Sequence, residues 1–260
     1  MPFDAITFRI LEMFAERYPN VFNSLKENLK LLNGGVIGID IDAVTQATYI
    51  LALNKISHTL RKNIQKEDLV TYWELAKIAK NNGVDPDNAM ELAKSAWNDD
   101  EVYANAPAMP GIKSFLHMLN EASAPYLFIS SRPTEHLGAT REWFRKELPW
   151  VKPENIILGR KEGMAGGDFK SGMVNKLGVA LHIEDAVEEA KIIVQETSAH
   201  VLIVPQPWND DGRFVHPRIK YLGRSSYSNG SWPVIRFLSG SQAKDFLSDK
   251  ANSFCVAQSY

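Results

Sequence analysis

Val36-Ile37-Gly38-Ile39 is an apolar run just long enough for a buried strand, and it ends abruptly in Asp40-Ile41-Asp42. Side chains alternate faces along a strand, so the two carboxylates share a face if the strand continues that far. Two like charges at a strand tip cost free energy unless a cation sits between them or they divide a proton. The pair therefore reads as a magnesium site, a nucleophile with its general acid, or both. An Asp-rich turn after a strand would give the same string.

Three later stretches point the same way. Tyr126-Leu127-Phe128-Ile129 ends in Ser130-Ser131-Arg132-Pro133, and Ala180-Leu181-His182-Ile183 ends in Glu184-Asp185. Between them Lys170 precedes the helical spacing of Met173, Val174 and Leu177. Apolar strands alternating with helical stretches predict an α/β fold with a doubly wound parallel sheet. Ligands of such sheets bind outside the carboxyl ends of the strands. Carboxylates, hydroxyls and an ammonium gathered there suit phosphoryl transfer. One carboxylate attacks phosphorus, hydroxyl and ammonium hold the equatorial oxygens, and a hard cation neutralises charge.

The ordered set Asp-x-Asp, Ser, Lys, acidic pair resembles the haloacid dehalogenase-like (HAD) superfamily over roughly Gly35 to Leu222. Thr140-Arg141-Glu142-Trp143-Phe144, the segment Val204-Pro205-Gln206-Pro207-Trp208-Asn209 and the later Arg218 resemble its 5'(3')-deoxyribonucleotidase branch. The resemblance implies a phosphatase with a Rossmann-like core and a magnesium cofactor. Asp40 would be the nucleophile, and Asp42 the general acid and base, its pKa raised by its charged neighbour. Ser130 would bind phosphate with Ser131 beside it, and Lys170 would neutralise Asp40 and phosphate. Magnesium would be held by Asp40, the Asp42 carbonyl and Asp185, with Glu184 as a further ligand or support. The family glycine after the second aspartate is Ala43 here, a strained residue if that position needs a positive φ.

Asn33-Gly34-Gly35 separates a helical extension (1–34) from the first strand. That extension packs on the core or on a second copy of the chain, giving a homodimer; a membrane-surface role is the alternative for its apolar face. Residues 46–107 carry helical periodicity alone, with breaks at Asn82-Gly83 and Asp85-Pro86-Asp87, where Asp87 is a cap candidate. This resembles the small helical cap of the superfamily, set into a core of 35–45 and 108–222. Val201–Val204 reads as the last core strand, and 223–260 as a C-terminal tail, with 223–232 a loop and 239–260 either a short polar helix or disordered. Gly163 to Gly167 reads as a hinge or a linker. Trp73, Trp97 and Tyr103 either stack on a nucleobase or fill the core of the insertion; Arg132 and Arg141 either face substrate or stand in solvent. The six histidines show no metal-ligand spacing.

Composition excludes several alternatives. A net charge of −2 advertises no nucleic-acid partner. No apolar run approaches the length of a membrane span, and the N-terminus lacks a signal-peptide pattern. The single Cys255 allows no intramolecular disulfide, which suits a reducing cytoplasm. The expected substrate is a small phosphate ester, a deoxynucleoside monophosphate in the first instance. Competing readings are a sugar phosphate, a nucleic-acid end phosphate, and a non-catalytic HAD-like binding module.

Overall fold

The computed structural model describes residues 19–70, 74–209, 214–223 and 233–248. Trp73, Cys255 and the first 18 residues of the extension lie outside them. Six strands form one parallel sheet: β1 (Val36–Ile39), β2 (Tyr126–Ile129), β3 (Ile156–Ile157), β4 (Val179–Glu184), β5 (His200–Ile203) and β6 (Ile219–Tyr221), in the order β3-β2-β1-β4-β5-β6. The chain winds outward from β1 through β2 and β3, then returns to place β4 against the other side of β1. The winding direction reverses there, and the crevice above the carboxyl ends of β1 and β4 is where this topology opens a binding site.

Alternating strand residues feed two cores. Ile37, Ile39, Phe128, Leu181 and Ile183 pack with α1 (Pro19–Leu29), α6 (Ile112–Glu121) and α7 (Leu137–Glu147). Ile129, Val179, Val201 and Ile203 pack on the opposite face with α8 (Gly166–Lys176) and α9 (Val187–Glu196). Apolar residues toward both faces are what a parallel sheet covered by helices on each side requires. Gly38 meets His182 across the β1–β4 register, and a Cβ at Gly38 would fall 2.5 Å from the His182 ring nitrogen. The glycine inside a buried strand is a packing necessity.

Between β1 and β2 the chain forms α2 (Thr48–Leu60), α3 (Glu74–Asn81), α4 (Pro86–Trp97) and α5 (Asp100–Asn105). Ala52, Leu53, Ile56, Leu69, Leu75, Ala93 and Ala96 give this insertion a core of its own. The cap of α4 is Asp85, which accepts from the Asp87 and Asn88 backbone N–H groups at 3.1 and 3.4 Å. Asp87, the cap expected from sequence, lies inside the helix, because Pro86 already occupies its first turn.

One expectation at the C-terminal side is corrected. The last strand among the described residues is β6, not the one at Val201–Val204; three residues with Lys220 in the middle are too short to show a period. The short polar helix expected after residue 239 is present, and the described part of the segment after 232 packs on the core. It forms α10 (Pro233–Leu238) and α11 (Ser241–Ser248), whose Val234, Leu238 and Leu247 are buried in the same core as Leu25 of α1. Asn28 Nδ2 donates to the Leu238 and Gly240 carbonyls at 2.8 and 3.2 Å, tying the two ends of the described chain together.

Candidate active site

Asp40 is the first residue past β1 and turns toward the α8–α9 side of the sheet. Lys170, in the first turns of α8, reaches it with Nζ 2.8 Å from a carboxylate oxygen. The same ammonium lies 2.6 Å from Glu184 and 2.5 Å from Glu189. Lys170 is almost fully buried. Burial would drain its proton, but the three carboxylates outweigh that and hold its pKa far above the usual lysine value. Glu184 is held well below the carboxylate range despite its burial, chiefly by Lys170 and then by His182. Its other oxygen accepts from the backbone N–H groups of Asp185 and Ala186, both at 3.0 Å.

Four carboxylates, Asp40, Glu184, Asp185 and Glu189, face one ammonium. The excess negative charge shows at Asp40 and Asp185, whose pKa values rise well above normal. Burial is the main cause at both, reinforced by Glu184 and only partly offset by Lys170. Carboxylate oxygens of Asp40, Glu184 and Asp185 lie within 4.8 Å of one another. Buried, anionic and all-oxygen, this donor set fits a hard divalent cation.

Asp42 belongs to a different neighbourhood. Arg132, buried where β2 ends, donates from Nε to one Asp42 oxygen at 2.9 Å and from Nη2 to the other at 2.8 Å. It also donates to Thr140 at 2.9 Å and Gln46 at 2.7 Å, which engages four of its five N–H groups. The Tyr103 ring lies 3.9 Å from the guanidinium carbon. Burial would raise the Asp42 pKa, but the Arg132 charge and its hydrogen bonds outweigh burial and lower it. The expectation of a raised Asp42 is therefore corrected: the raised partner is Asp40. Ser130 Oγ stands 3.5 Å from Asp42, and Ser131 Oγ donates to Glu189 at 3.4 Å. Ala43 takes φ 56°, the left-handed region that the family glycine adopts without strain.

A cleft opens over these groups. Its walls bring Trp97 and Tyr103 from the insertion to the carboxylates, together with Leu69, Arg160 and Trp208. Both residues named from sequence in the described part of the insertion thus face the cleft, while Arg141 is exposed on α7. Sequence reasoning missed Glu189 and Trp208. Glu189 lies one helical turn after Asp185, and that spacing was a usable signal. It reaches Lys170 because Gly166 has no side chain: a Cβ there would sit 2.0 Å from the Glu189 carboxylate. The loop glycine read as hinge or linker is in fact the first residue of α8.

The chain matches the model of the family described as 5' nucleotidase, deoxy (pyrimidine), cytosolic type C protein over residues 34–175, more than half its length. It belongs to that family. The matched stretch contains Asp40, Asp42, Ser130 and Lys170 and stops before Glu184-Asp185. Solved structures with this fold include a HAD family hydrolase from Deinococcus radiodurans R1 with bound phosphate and sodium. It is 17% identical at a TM-score of 0.50, over 68% of this chain and 86% of that one. A HAD hydrolase of family IA, variant 3, from Entamoeba histolytica is 11% identical at a TM-score of 0.51, over 77% of this chain and 98% of that one. No curated protein matches the chain. Membership of a nucleotidase family makes the protein a phosphatase, on a fold shared with HAD hydrolases, which sets aside the non-catalytic module. Among the described residues no helix is long and apolar enough to cross a membrane.

Proposed function

We propose that this protein is a magnesium-dependent phosphomonoester hydrolase that works through an aspartyl-phosphate, with deoxynucleoside monophosphates as its substrate class. The observation that carries this reading is the Asp40 carboxylate, 2.8 Å from Lys170 at the winding reversal of the sheet and beside Glu184 and Asp185. Asp40, Glu184 and Asp185 would hold the cation. Bound there, magnesium would neutralise charge on the phosphoryl oxygens.

The protein's own residues supply the rest. An oxygen of Asp40 attacks phosphorus, and the bond to the leaving oxygen breaks. Lys170 and Ser130 hold phosphoryl oxygens. Asp42 delivers a proton to the leaving oxygen and later takes one from the water that cleaves the acyl phosphate. Arg132 favours the second of these duties, because it keeps Asp42 ionised. Its guanidinium is committed to Asp42, Gln46 and Thr140, so Arg132 acts through Asp42 rather than as a substrate ligand. Substrate contacts fall instead to Ser131 and to the cleft walls. Trp97 offers aromatic surface for a base, with the Tyr103 ring packed behind on Arg132, and the insertion that carries them acts as a cap excluding water.

A panel of phosphate esters, assayed with magnesium and with chelator, tests this. Deoxynucleoside monophosphates should show the highest kcat/KM, and chelation should abolish turnover. Preference for sugar phosphates would overturn the substrate class, and turnover without divalent metal would overturn the cofactor.

A further inference from the structure

The segment Gln206–Asn209 leaves β5 and crosses above both acidic loops, and each of its polar side chains grips one of them. Gln206, buried, donates from Nε2 to the Ala43 carbonyl at 2.7 Å. Asn209, also buried, donates from Nδ2 to the Asp185 carbonyl at 2.7 Å and the Val204 carbonyl at 2.8 Å, while its Oδ1 accepts from Gln206 N–H at 2.9 Å. Between them Trp208 donates its indole N–H to Asp185 Oδ2 at 2.8 Å. The segment therefore ties the loop that follows β1 to the loop that follows β4.

Trp208 has a second attachment. Its ring packs on the core of the helical insertion and meets Tyr49 of α2 edge-on, with centroids 6.1 Å apart and planes at 68°. One indole thus touches both a carboxylate of the acidic cluster and the body that forms the roof of the cleft. Asp185 needs such a partner. It is buried beside Glu184 and Asp40, and in a crowd of like charges its two oxygens have no preferred direction unless a donor fixes one of them. With Oδ2 held by the indole, Oδ1 is the oxygen left for the cluster.

We propose that Trp208 is a positioning residue: its N–H orients Asp185 for the divalent cation, and its ring makes that orientation depend on where the helical insertion sits. The inference rests on the metal reading of the site given above. Partners that orient a metal ligand through a hydrogen bond commonly contribute a factor of about 10–100 in metal affinity. Gln206 and Asn209 hold the backbone on which the indole is mounted.

The test is calorimetric titration of the full chain with magnesium chloride alone, which reads binding without turnover. Trp208→Phe keeps an aromatic ring against Tyr49 and removes only the donor. Its magnesium Kd should be about 10- to 100-fold weaker than wild type. Circular dichroism of the metal-free variant establishes that it folds. The chain has six tryptophans, so the magnesium-induced change in indole fluorescence is read as the difference between wild type and Trp208→Phe, and its midpoint should equal the wild-type calorimetric Kd. An unchanged Kd in folded Trp208→Phe overturns the inference and leaves the metal site standing. A magnesium-induced fluorescence change that is the same in wild type and Trp208→Phe does the same. If wild type itself binds no magnesium, the metal reading falls and the inference with it.

Discussion

Asp40 and Asp42 are two positions apart in sequence and sit in opposite electrostatic surroundings. Lys170 partly compensates Asp40 but leaves it crowded by acids, whereas Arg132 gives Asp42 two oriented hydrogen bonds. Asp40→Asn keeps the shape and removes the proposed nucleophile, so kcat should fall by several powers of ten with the fold intact; steady-state kinetics beside a thermal melt read both. Retention of most activity would rule out the covalent route. Ala43 at φ 56° carries a left-handed backbone that costs an L-residue about 1–2 kcal/mol. Glycine relieves this and adds about 0.4–1 kcal/mol of unfolded-state entropy cost. Ala43→Gly should therefore raise Tm by roughly 1–4 °C in calorimetry. A lower Tm would mean that packing of the Ala43 methyl outweighs the strain.

At the scale of elements, the proposed function leaves substrate choice to the helical insertion, since the strand tips would see only the phosphate. Trp97 lines the cleft without touching an acidic residue of the site by any hydrogen bond described, while the Tyr103 ring lies against Arg132. The two substitutions should separate. Trp97→Ala should lower kcat/KM for a deoxynucleoside monophosphate about 5- to 150-fold, from stacking energy of about 1–3 kcal/mol, and leave p-nitrophenyl phosphate hydrolysis nearly unchanged. Tyr103→Ala should depress both substrates, because it loosens the guanidinium that holds Asp42. Equal losses on both substrates for Trp97→Ala would remove the support for base stacking.

For the whole molecule, the acidic cluster links stability to pH and, under the proposed function, to metal. Asp40 and Asp185 have folded pKa values above their unfolded ones, chiefly through burial. The metal-free protein is stabilised by their protons at low pH and loses that contribution as pH rises through the folded values. A cation must displace those protons, so its binding strengthens as pH rises. At about 100 Kd of magnesium near pH 8 the gain is about 2.7 kcal/mol, roughly 5–10 °C in Tm, and it should shrink steadily toward about pH 5. A metal-induced shift that grows on acidification would contradict the assignment of these carboxylates as ligands.

Local patterning alone determined the sheet, its parallel winding and the strand tips that carry Asp40, Ser130 and Glu184-Asp185, because buried strands must be apolar and their polar tips must lie at chain positions a reader can count. Lys170 and the all-helical insertion were legible for the same reason. Other features depend on which segments meet across the fold. Arg132 became the partner of Asp42 only when β2 was laid beside β1. Glu189 entered the site only because Gly166 leaves room for it. The strand Ile219–Tyr221 and the helices after Pro233 are too short or too polar for a periodic signal, and contacts with β5 and α1 define them. Trp208 reads in sequence as part of a Pro-Trp-Asn string; its hydrogen bond to Asp185 joins positions 23 residues apart. Periodicity is a property of neighbours in the chain. The charge balance of a buried site is a property of neighbours in space, so the pKa order of Asp40 and Asp42 was decided by tertiary structure alone.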